Sequence, residues 1–148
     1  MIVYFDTSAF VPLLVEEVGT PVATRLWRDA TQAVSSRLIV VESAAAIAMG
    51  LRSGRLSDSE HDMLQENAAR LRHDLTLVEA YADIVEDAAE LAARHGLRGY
   101  DAMHLATATR VRARDVLFAS GDRQLLQAGH EEGLTTLDTS ARPAGSGA

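Results

Sequence analysis

Short apolar runs alternate along this chain with longer stretches in which apolar residues recur at helical spacing. Residues 2–5 are all apolar, which is typical of a strand buried on both faces of a sheet, and residues 116–119 repeat the pattern. Between such runs, Ile84, Ala88 and Leu91 fall at i, i+4 and i+7 and form one helical stripe. This alternation predicts an α/β fold in which βα units build a mainly parallel sheet of about five strands.

Capping and turn residues mark where several helices begin and end. Ser57 and Glu60 have the spacing of a capping box, and Ser36 is a candidate N-cap for the long apolar stretch that follows it. Gly54 and Gly96 are typical helix stops. The predicted strands are 2–5, 33–35, 75–78, 116–119 and 134–137; the predicted helices are 8–15, 21–30, 37–53, 57–72, 84–95, 100–112 and 123–132.

Length and composition indicate one globular domain. The chain has 148 residues, of which 47% are hydrophobic and 24% charged, both ordinary for a folded domain. Beyond residue 137 the chain loses its apolar periodicity. We therefore predict a single domain over residues 1–137 and a disordered tail over residues 138–148.

The residue types that are absent exclude several kinds of chemistry. There is no cysteine, so the chain has no disulfide, thiolate zinc site or cysteine nucleophile. All 14 basic residues are arginine, which excludes a Walker P-loop and a Schiff-base lysine. The net charge of −7 argues against a protein that coats nucleic acid, although an acidic nuclease site is compatible with it. The first residues lack the basic region of a signal peptide, and we expect a cytoplasmic protein.

Two aspartates follow apolar strands at the same edge of the predicted sheet. Asp6 ends the first strand and Asp122 follows the fourth. In open α/β sheets, ligands bind beyond the carboxyl ends of the strands. Each aspartate alone also fits a simpler role, Asp6 as a helix cap and Asp122 as a turn residue.

Two more acids lie near the start of apolar helices. Glu42 is the only charged residue between 38 and 49, where burial of a carboxylate costs several kcal/mol unless a cation or hydrogen bonds compensate. Glu42 could also reach solvent or pair with an arginine. Asp101 precedes a helix rich in small residues, where the helix dipole alone would favour an acid. Four carboxylates at one sheet edge would repel each other, and Mg²⁺ or Mn²⁺ is the simplest counter-charge.

Four motifs in order resemble the PIN-domain ribonucleases, and among them the VapC-like toxins of bacterial type II toxin–antitoxin pairs. The resemblance covers residues 1–137. Its motifs are Val3-Tyr4-Phe5-Asp6-Thr7-Ser8, Ser36-Arg37-Leu38 leading to Glu42-Ser43, Leu97-Arg98-Gly99-Tyr100-Asp101-Ala102-Met103-His104-Leu105-Ala106-Thr107-Ala108, and Phe118-Ala119-Ser120-Gly121-Asp122-Arg123-Gln124-Leu125. It implies a three-layer α/β/α domain.

The resemblance also implies a role for each acidic position. Asp6, Glu42, Asp101 and Asp122 fall on the family's four acidic positions and would hold one or two Mg²⁺ or Mn²⁺ ions for RNA hydrolysis. In that arrangement Asp6 and Asp101 bind the metal directly, Asp122 binds directly or through water, and Glu42 binds mainly through water.

Several other residues are candidates for contacts with substrate. Hydroxyl groups could orient a metal-bound water or a phosphate oxygen; these belong to Thr7, Ser8 and Ser120. Arg98 and Arg123 are candidate phosphate contacts, with an ordinary ion pair as the alternative for each. His104 is interpreted as a structural histidine on a buried helix. Phe10, Leu13, Leu14 and Trp27 form either an apolar docking patch or part of the core.

We therefore expect a metal-dependent endoribonuclease, the toxin of a toxin–antitoxin pair, that forms a homodimer and binds a VapB-like antitoxin. A non-catalytic PIN-fold module that binds RNA or a partner is the main alternative, and the intact acidic quartet argues against it. A dehalogenase-like phosphatase is disfavoured because it needs a lysine and a second aspartate two residues after Asp6.

Overall fold

The computed structural model describes residues 1–112 and 115–142. Its centre is a five-stranded sheet in the order β3-β2-β1-β4-β5, and every pairing between neighbouring strands is parallel. This confirms the predicted parallel α/β architecture. The strands are β1 (Ile2–Phe5), β2 (Gln32–Ser36), β3 (Thr76–Val78), β4 (Val116–Ser120) and β5 (Thr135–Asp138).

Helices cover both faces of the sheet, so the fold has the three predicted layers. They are α1 (Thr7–Phe10), α2 (Thr20–Asp29), α3 (Ile39–Arg52), α4 (Asp58–His73), α5 (Ala82–His95), α6 (Gly99–Val111) and α7 (Arg123–Glu131). Successive side chains of β1 point to opposite faces. Tyr4 accordingly joins the core formed with α5, α6 and α7, whereas Val3 and Phe5 join the core formed with α1, α2 and α3.

The position of β1 at the centre of the sheet determines where the candidate acids meet. Phe5 pairs with Ala119 of β4, and the N–H of Asp6 donates to the carbonyl of Ala119 at 3.2 Å. The carboxyl ends of β1 and β4 are therefore side by side. This brings Asp6 next to the residues that follow β4, as an open α/β sheet requires of its ligand-binding edge.

Two predicted helices differ in detail from the structure. The predicted helix over residues 8–15 is a short α1 followed by a 3-10 turn (Val11–Leu13), because Pro12 has no N–H for an α-helical ladder. Ser36 is not the N-cap of α3. It is the last residue of β2, and the N-cap is Leu38, whose N–H donates to the Ser36 hydroxyl at 3.2 Å.

Other local predictions are confirmed. Both hydrogen bonds of the capping box between Ser57 and Glu60 are present at the start of α4. The helix stops are also present: Gly54 has φ 75° and Gly96 has φ 64°. Trp27 packs against Phe5, with ring centroids 5.5 Å apart, which makes it part of the core instead of a free docking patch.

The ordered part of the chain extends past residue 137. Asp138 belongs to β5, and Thr139 is buried, with its N–H donating to the carbonyl of Ser120 at 2.9 Å. The last strand thus includes the first residue of the tail predicted over 138–148. Of that tail, residues 143–148 lie outside the described residues. Within the described ranges, no helix is long and apolar enough to cross a membrane.

Candidate active site

An open cleft of about 380 Å³ lies at the carboxyl edge of the sheet. All four predicted acids line it, although they come from four separate parts of the chain: the end of β1, helix α3, helix α6 and the residue before α7. The residues that line the cleft are Asp6, Thr7, Ser8, Val11, Glu17, Glu42, Arg98, Asp101, His104 and Asp122.

Asp6 is the most buried of the four acids, with 3% of its surface exposed. Its carboxylate accepts hydrogen bonds from the Ser8 hydroxyl at 2.8 Å, the Ser120 hydroxyl at 2.6 Å and the Ala9 N–H at 2.9 Å. Burial raises the pKa of Asp6, while the nearby His104 and these donors oppose that rise. The bond to Ala9 also makes Asp6 the N-cap of α1, so the predicted capping role and the site role coexist.

Ser8 and Ser120 connect the ends of β1 and β4. The Ser8 hydroxyl accepts from the Gly121 N–H at 2.7 Å and donates to Asp6. The Ser120 hydroxyl accepts from the Asp122 N–H at 3.0 Å and also donates to Asp6. Ser120 is fully buried, so it orients the Asp6 carboxylate and does not reach the cleft as the predicted phosphate contact.

Asp122 lies where the chain turns from β4 into α7. Its side chain accepts from the Leu125 N–H at 3.1 Å and caps α7, as the simpler interpretation of this residue predicted. The same side chain lines the cleft. The cap holds Asp122 at the rim with its remaining acceptor capacity available to a ligand.

Glu42 points from α3 toward a buried histidine of α6. Its Oε1 lies 2.7 Å from Nε2 of His104, and its side chain is 17% exposed. The Nδ1 of His104 lies 2.8 Å from the hydroxyl of Tyr4. The compensating partner that a carboxylate in an apolar helix requires is therefore a histidine, neither bulk solvent nor the arginine considered from the sequence.

Asp101 forms an ion pair with Arg98, whose Nε lies 3.0 Å from Oδ2 of Asp101. The Arg98 side chain is 84% exposed at the rim of the cleft. The hydrogen bond that Arg98 donates to Asp101, together with the negative charges of Asp101, Asp122 and Glu42, raises the pKa of the Arg98 guanidinium. The ion pair predicted as the alternative role of Arg98 is thus present in the free chain. Because the Arg98 side chain is exposed, it is still accessible to a ligand.

The donor set of the cleft fits a hard divalent cation, since it offers five carboxylates, those of the four predicted acids and of Glu17, and no sulfur ligand. Within residues 1–112 and 115–142, however, no three His, Asp or Glu side chains converge closely enough to form a ready-made metal site. In the free chain Asp6 faces its hydroxyl donors and Asp101 faces Arg98. The residues nevertheless fit the ion in type.

The remaining candidates divide between the cleft and its surroundings. Thr7 lines the cleft, and its hydroxyl is 3.3 Å from Nε2 of His104. Ser8 also lines the cleft. Arg123 is exposed at the first residue of α7 and is not part of the cleft lining, so the structure does not bring it to the acids.

Sequence reasoning missed three residues at this site. Tyr4 lies in an apolar strand, and no other feature of the sequence indicates a role for it in the site. Glu17 lines the cleft from an irregular segment that has no periodicity. Thr139 lies under the site: a Cβ on Gly121 would be 3.4 Å from its hydroxyl, which is buried and has no hydrogen-bond partner among the described residues. Only the contact between β4 and β5 could have revealed it.

Comparison with known proteins agrees with this architecture. The model of the PIN domain family matches residues 3–131. Ribonuclease VapC45 and Ribonuclease VapC49, from two strains of Mycobacterium tuberculosis, are each 39% identical over 142 residues, which cover 96% of this chain and 99% of theirs.

Two solved structures share the fold. One is Mycobacterium tuberculosis VapC20, described as a toxin that cleaves the sarcin-ricin loop, with a TM-score of 0.67, 20% identity, and coverage of 97% of this chain and 100% of that chain. The other is VapBC2 from Rickettsia felis, bound to a DNA fragment from its promoter, with a TM-score of 0.63, 12% identity, and coverage of 93% and 98%. At these identities the likeness is one of fold.

Proposed function

The chain belongs to the PIN domain family, and on that premise we propose that it is a metal-dependent endoribonuclease of the VapC type, the toxin of a bacterial toxin–antitoxin pair. Two relatives that match almost the full length are named ribonucleases, which supports RNA hydrolysis. The observation that carries the proposal is the meeting of Asp6, Glu42, Asp101 and Asp122 in one cleft. Their order along the chain and their positions at the sheet edge match the acidic pattern expected from the sequence.

We propose that Mg²⁺ or Mn²⁺ binds in this cleft. Asp6 and Asp101 would be direct ligands, Asp122 a direct or water-bridged ligand, and Glu42 mainly a water-bridged one. When bound, such an ion activates water for attack on a phosphodiester and stabilises the charge that develops on the phosphate. The hydroxyls of Ser8 and Ser120 hold the Asp6 carboxylate in place by hydrogen bonds.

Arginines supply the positive charge that an acidic cleft needs in order to accept RNA. Arg98 lies at the rim with most of its side chain exposed, and its ion pair with Asp101 is short-ranged and solvated. We propose that Arg98 turns from Asp101 to a phosphate when RNA binds, which leaves the Asp101 carboxylate to the metal. Arg123, one residue after Asp122, is a second and more distant phosphate contact. We infer that the Thr7 hydroxyl donates to a phosphate oxygen or a bound water, whereas the single proton of the Ser8 hydroxyl is already donated to Asp6.

We also propose a VapB-like antitoxin as the protein partner, a homodimeric state and a cytoplasmic location. The solved VapBC2 from Rickettsia felis supports a partner of this kind for the fold. Beside the cleft, an apolar groove of about 440 Å³ offers space for an inhibitory segment, and it is lined in part by Val85, Ala92, Tyr100 and Met103. Light scattering of the purified chain, alone and with the product of a neighbouring short reading frame, tests both assemblies.

Cleavage of total bacterial RNA by the purified chain tests the enzymatic proposal. The reaction is run with Mg²⁺, with Mn²⁺ and with EDTA, for the wild type and for Asp101→Asn. Asp62→Asn is the matched control, because Asp62 is an exposed aspartate on α4. We expect discrete RNA fragments that require both the metal and Asp101, and full activity in the control.

The opposite result is equally clear. If no metal supports cleavage while Asp101→Asn binds RNA as well as the wild type does, the chain is a binding module and the acidic quartet has only a structural role. RNA fragments produced by the chain in EDTA and by Asp101→Asn would show that cleavage needs neither the metal nor Asp101, which overturns the proposal.

A further inference from the structure

His104 is the most buried polar side chain of the cleft, and the chemistry proposed above does not use it. It is 1% exposed and lies on α6, one helical turn after Asp101. Its two ring nitrogens contact different partners: Nδ1 is 2.8 Å from the hydroxyl of Tyr4, and Nε2 is 2.7 Å from Oε1 of Glu42. A longer contact of 3.3 Å joins Nε2 to the hydroxyl of Thr7. The ring therefore connects the middle of the sheet to an acid of the cleft.

The direction of each hydrogen bond follows from the donor at the buried end. The backbone N–H of Ser36 lies 3.1 Å from the Tyr4 oxygen and can only donate, so the oxygen accepts. Burial keeps the phenol protonated, since it strongly raises the pKa of Tyr4. Its proton then donates to Nδ1 of His104. A neutral imidazole that accepts at Nδ1 carries its proton on Nε2, which donates to Glu42.

The contact with Glu42 requires the same arrangement. A carboxylate oxygen can only accept, so Oε1 of Glu42, 2.7 Å from Nε2, requires a proton on that nitrogen. An imidazole with its proton on Nδ1 alone would face Glu42 with a lone pair. Glu42 therefore fixes the proton on Nε2, and the hydroxyl of Tyr4 holds the other side of the ring at Nδ1.

We propose that Tyr4 and His104 are positioning residues for the nuclease: the hydroxyl of Tyr4 holds the His104 ring at Nδ1, and the N–H at Nε2 holds the Glu42 carboxylate in its orientation in the cleft. The contacts of His104 do not depend on the proposed function, but their effect on cleavage rests on it. Glu42 is the one acid of the quartet on α3, and the bond to His104 restricts the rotamers of its long side chain. A histidine with a purely structural role would need no carboxylate of the cleft as its acceptor.

The tautomer is measured first, without RNA or metal. Long-range ¹H–¹⁵N correlation spectra of ¹⁵N-labelled protein distinguish Nδ1–H from Nε2–H imidazoles, and the spectrum of His104→Gln identifies the His104 signals among the five histidines. We expect the Nε2–H form in the wild type. We expect Tyr4→Phe, which removes a single oxygen atom, to keep the proton on Nε2 and to shift the Nδ1 resonance, because that nitrogen loses its hydrogen bond. Tyr81→Phe, at an exposed tyrosine, is the control and keeps the wild-type spectrum.

Kinetics then test the consequence for cleavage. We expect Tyr4→Phe to lower kcat about 10-fold with little change in KM. The variant removes the hydrogen bond that holds the His104 ring, and this weakens the bond from His104 to the Glu42 carboxylate. His104→Leu lowers kcat further, whereas His104→Gln recovers most of the activity because its side-chain amide can donate near the position of Nε2. The thermal unfolding midpoint of each variant shows whether it is folded.

Two results would overturn the proposal: an Nδ1–H tautomer in the wild type, or a Tyr4→Phe variant with a shifted Nδ1 resonance and unchanged kcat. If His104→Leu fails to fold, Tyr4→Phe still decides the matter. A wild-type chain that cleaves no RNA refutes the nuclease, and the spectra still test the contacts of His104 on their own.

Discussion

The hydroxyl of Ser120, at the end of β4, lies 2.6 Å from Oδ2 of Asp6, at the end of β1. The two residues are 114 positions apart in the chain, and the pairing of Phe5 with Ala119 brings them together. The same hydroxyl accepts from the N–H of Asp122. One buried side chain thus connects two acids of the cleft.

Replacement of Ser120 tests this connection. We expect Ser120→Ala to lower kcat roughly 10-fold, because a hydrogen bond to a charged group contributes about 1.5–3 kcal/mol and Asp6 keeps its bonds from Ser8 and Ala9. The measurement is cleavage of a defined RNA at saturating Mg²⁺. Ser59→Ala, at an exposed serine of α4, is the control. Equal activity of Ser120→Ala and wild type would show that the bond does not matter for cleavage.

The buried carboxylate of Asp6 should lower the free energy of unfolding at neutral pH. Burial raises its pKa above that of an ordinary aspartate, so the folded state loses stability as pH rises from the ordinary pKa through the raised one. At neutral pH, Asp6→Asn removes this cost and keeps an acceptor for the Ala9 N–H. We expect a gain of about 1 kcal/mol, or roughly 2–4 °C in Tm by calorimetry, together with loss of RNA cleavage. A Tm below that of wild type, with Asp62→Asn unchanged, is the contrary result.

Arg98 should act on RNA binding more than on chemistry. We expect Arg98→Gln to raise KM about 3–10-fold with kcat within about twofold, because the lost contact is to phosphate and not to the reacting atoms. Binding measured in EDTA at several salt concentrations should show a slope smaller by about 0.7, the change expected for one phosphate contact on a single strand. Arg70→Gln, at an exposed arginine of α4, is the control. An unchanged salt slope would show that Arg98 makes no phosphate contact and forms only its ion pair with Asp101.

The glycine that ends α5 should be needed for its backbone conformation. Gly96 has φ 64°, and an L-residue there costs about 1 kcal/mol, so we expect Gly96→Ala to lower Tm by roughly 2–4 °C. Gly99→Ala is the matched control, because Gly99 is outside the left-handed region and a Cβ there meets no atom within 4 Å. We expect the control to keep or slightly raise Tm. Equal losses in the two variants would contradict this interpretation.

An ion-pair cluster between α5 and α7 should make stability depend on pH. The hydrogen bond from His95 is the main cause that lowers the pKa of Glu132 below 4.5, and Arg94 adds to it. A lowered folded pKa adds stability above pH 4.5, and that stability is lost as pH falls through the folded value. We expect Glu132→Gln to unfold at lower urea than wild type at neutral pH, and the difference to disappear in acid. Glu66→Gln, at an exposed glutamate, should follow wild type at every pH; a difference for Glu132→Gln that persists in acid would exclude this explanation.

Local patterns in the sequence predicted most of the secondary structure. The bounds of β1 are those predicted, and the capping box at Ser57 and the stops at Gly54 and Gly96 are confirmed. Each of these features depends on residues close together in the chain, so the sequence contains the whole cause. The N-cap of α3 was mispredicted at Ser36 because β2 extends through that residue, and pairing with β3 decides this.

The four acids were found from the sequence because each is out of place locally: two follow apolar strands and two lie in apolar helices. What the sequence could not show is what each carboxylate contacts. The pairing of Glu42 with His104 spans 62 residues, and that of Asp6 with Ser120 spans 114. Arg123 was judged by its proximity to Asp122 in sequence, but the start of α7 directs it to the exposed surface away from the cleft lining.

By itself, then, the sequence determined the alternation of strands and helices, the turns between them and the four residues able to supply oxygen ligands. These follow from side-chain periodicity and backbone preference, which act over a few residues. Only the tertiary structure decided that the acids share one cleft, that Ser120 is a buried support for Asp6, and that Tyr4 and His104 are connected to Glu42. Strand order and helix packing set those contacts, because they bring together side chains that are far apart in the chain and exclude water from the space between them.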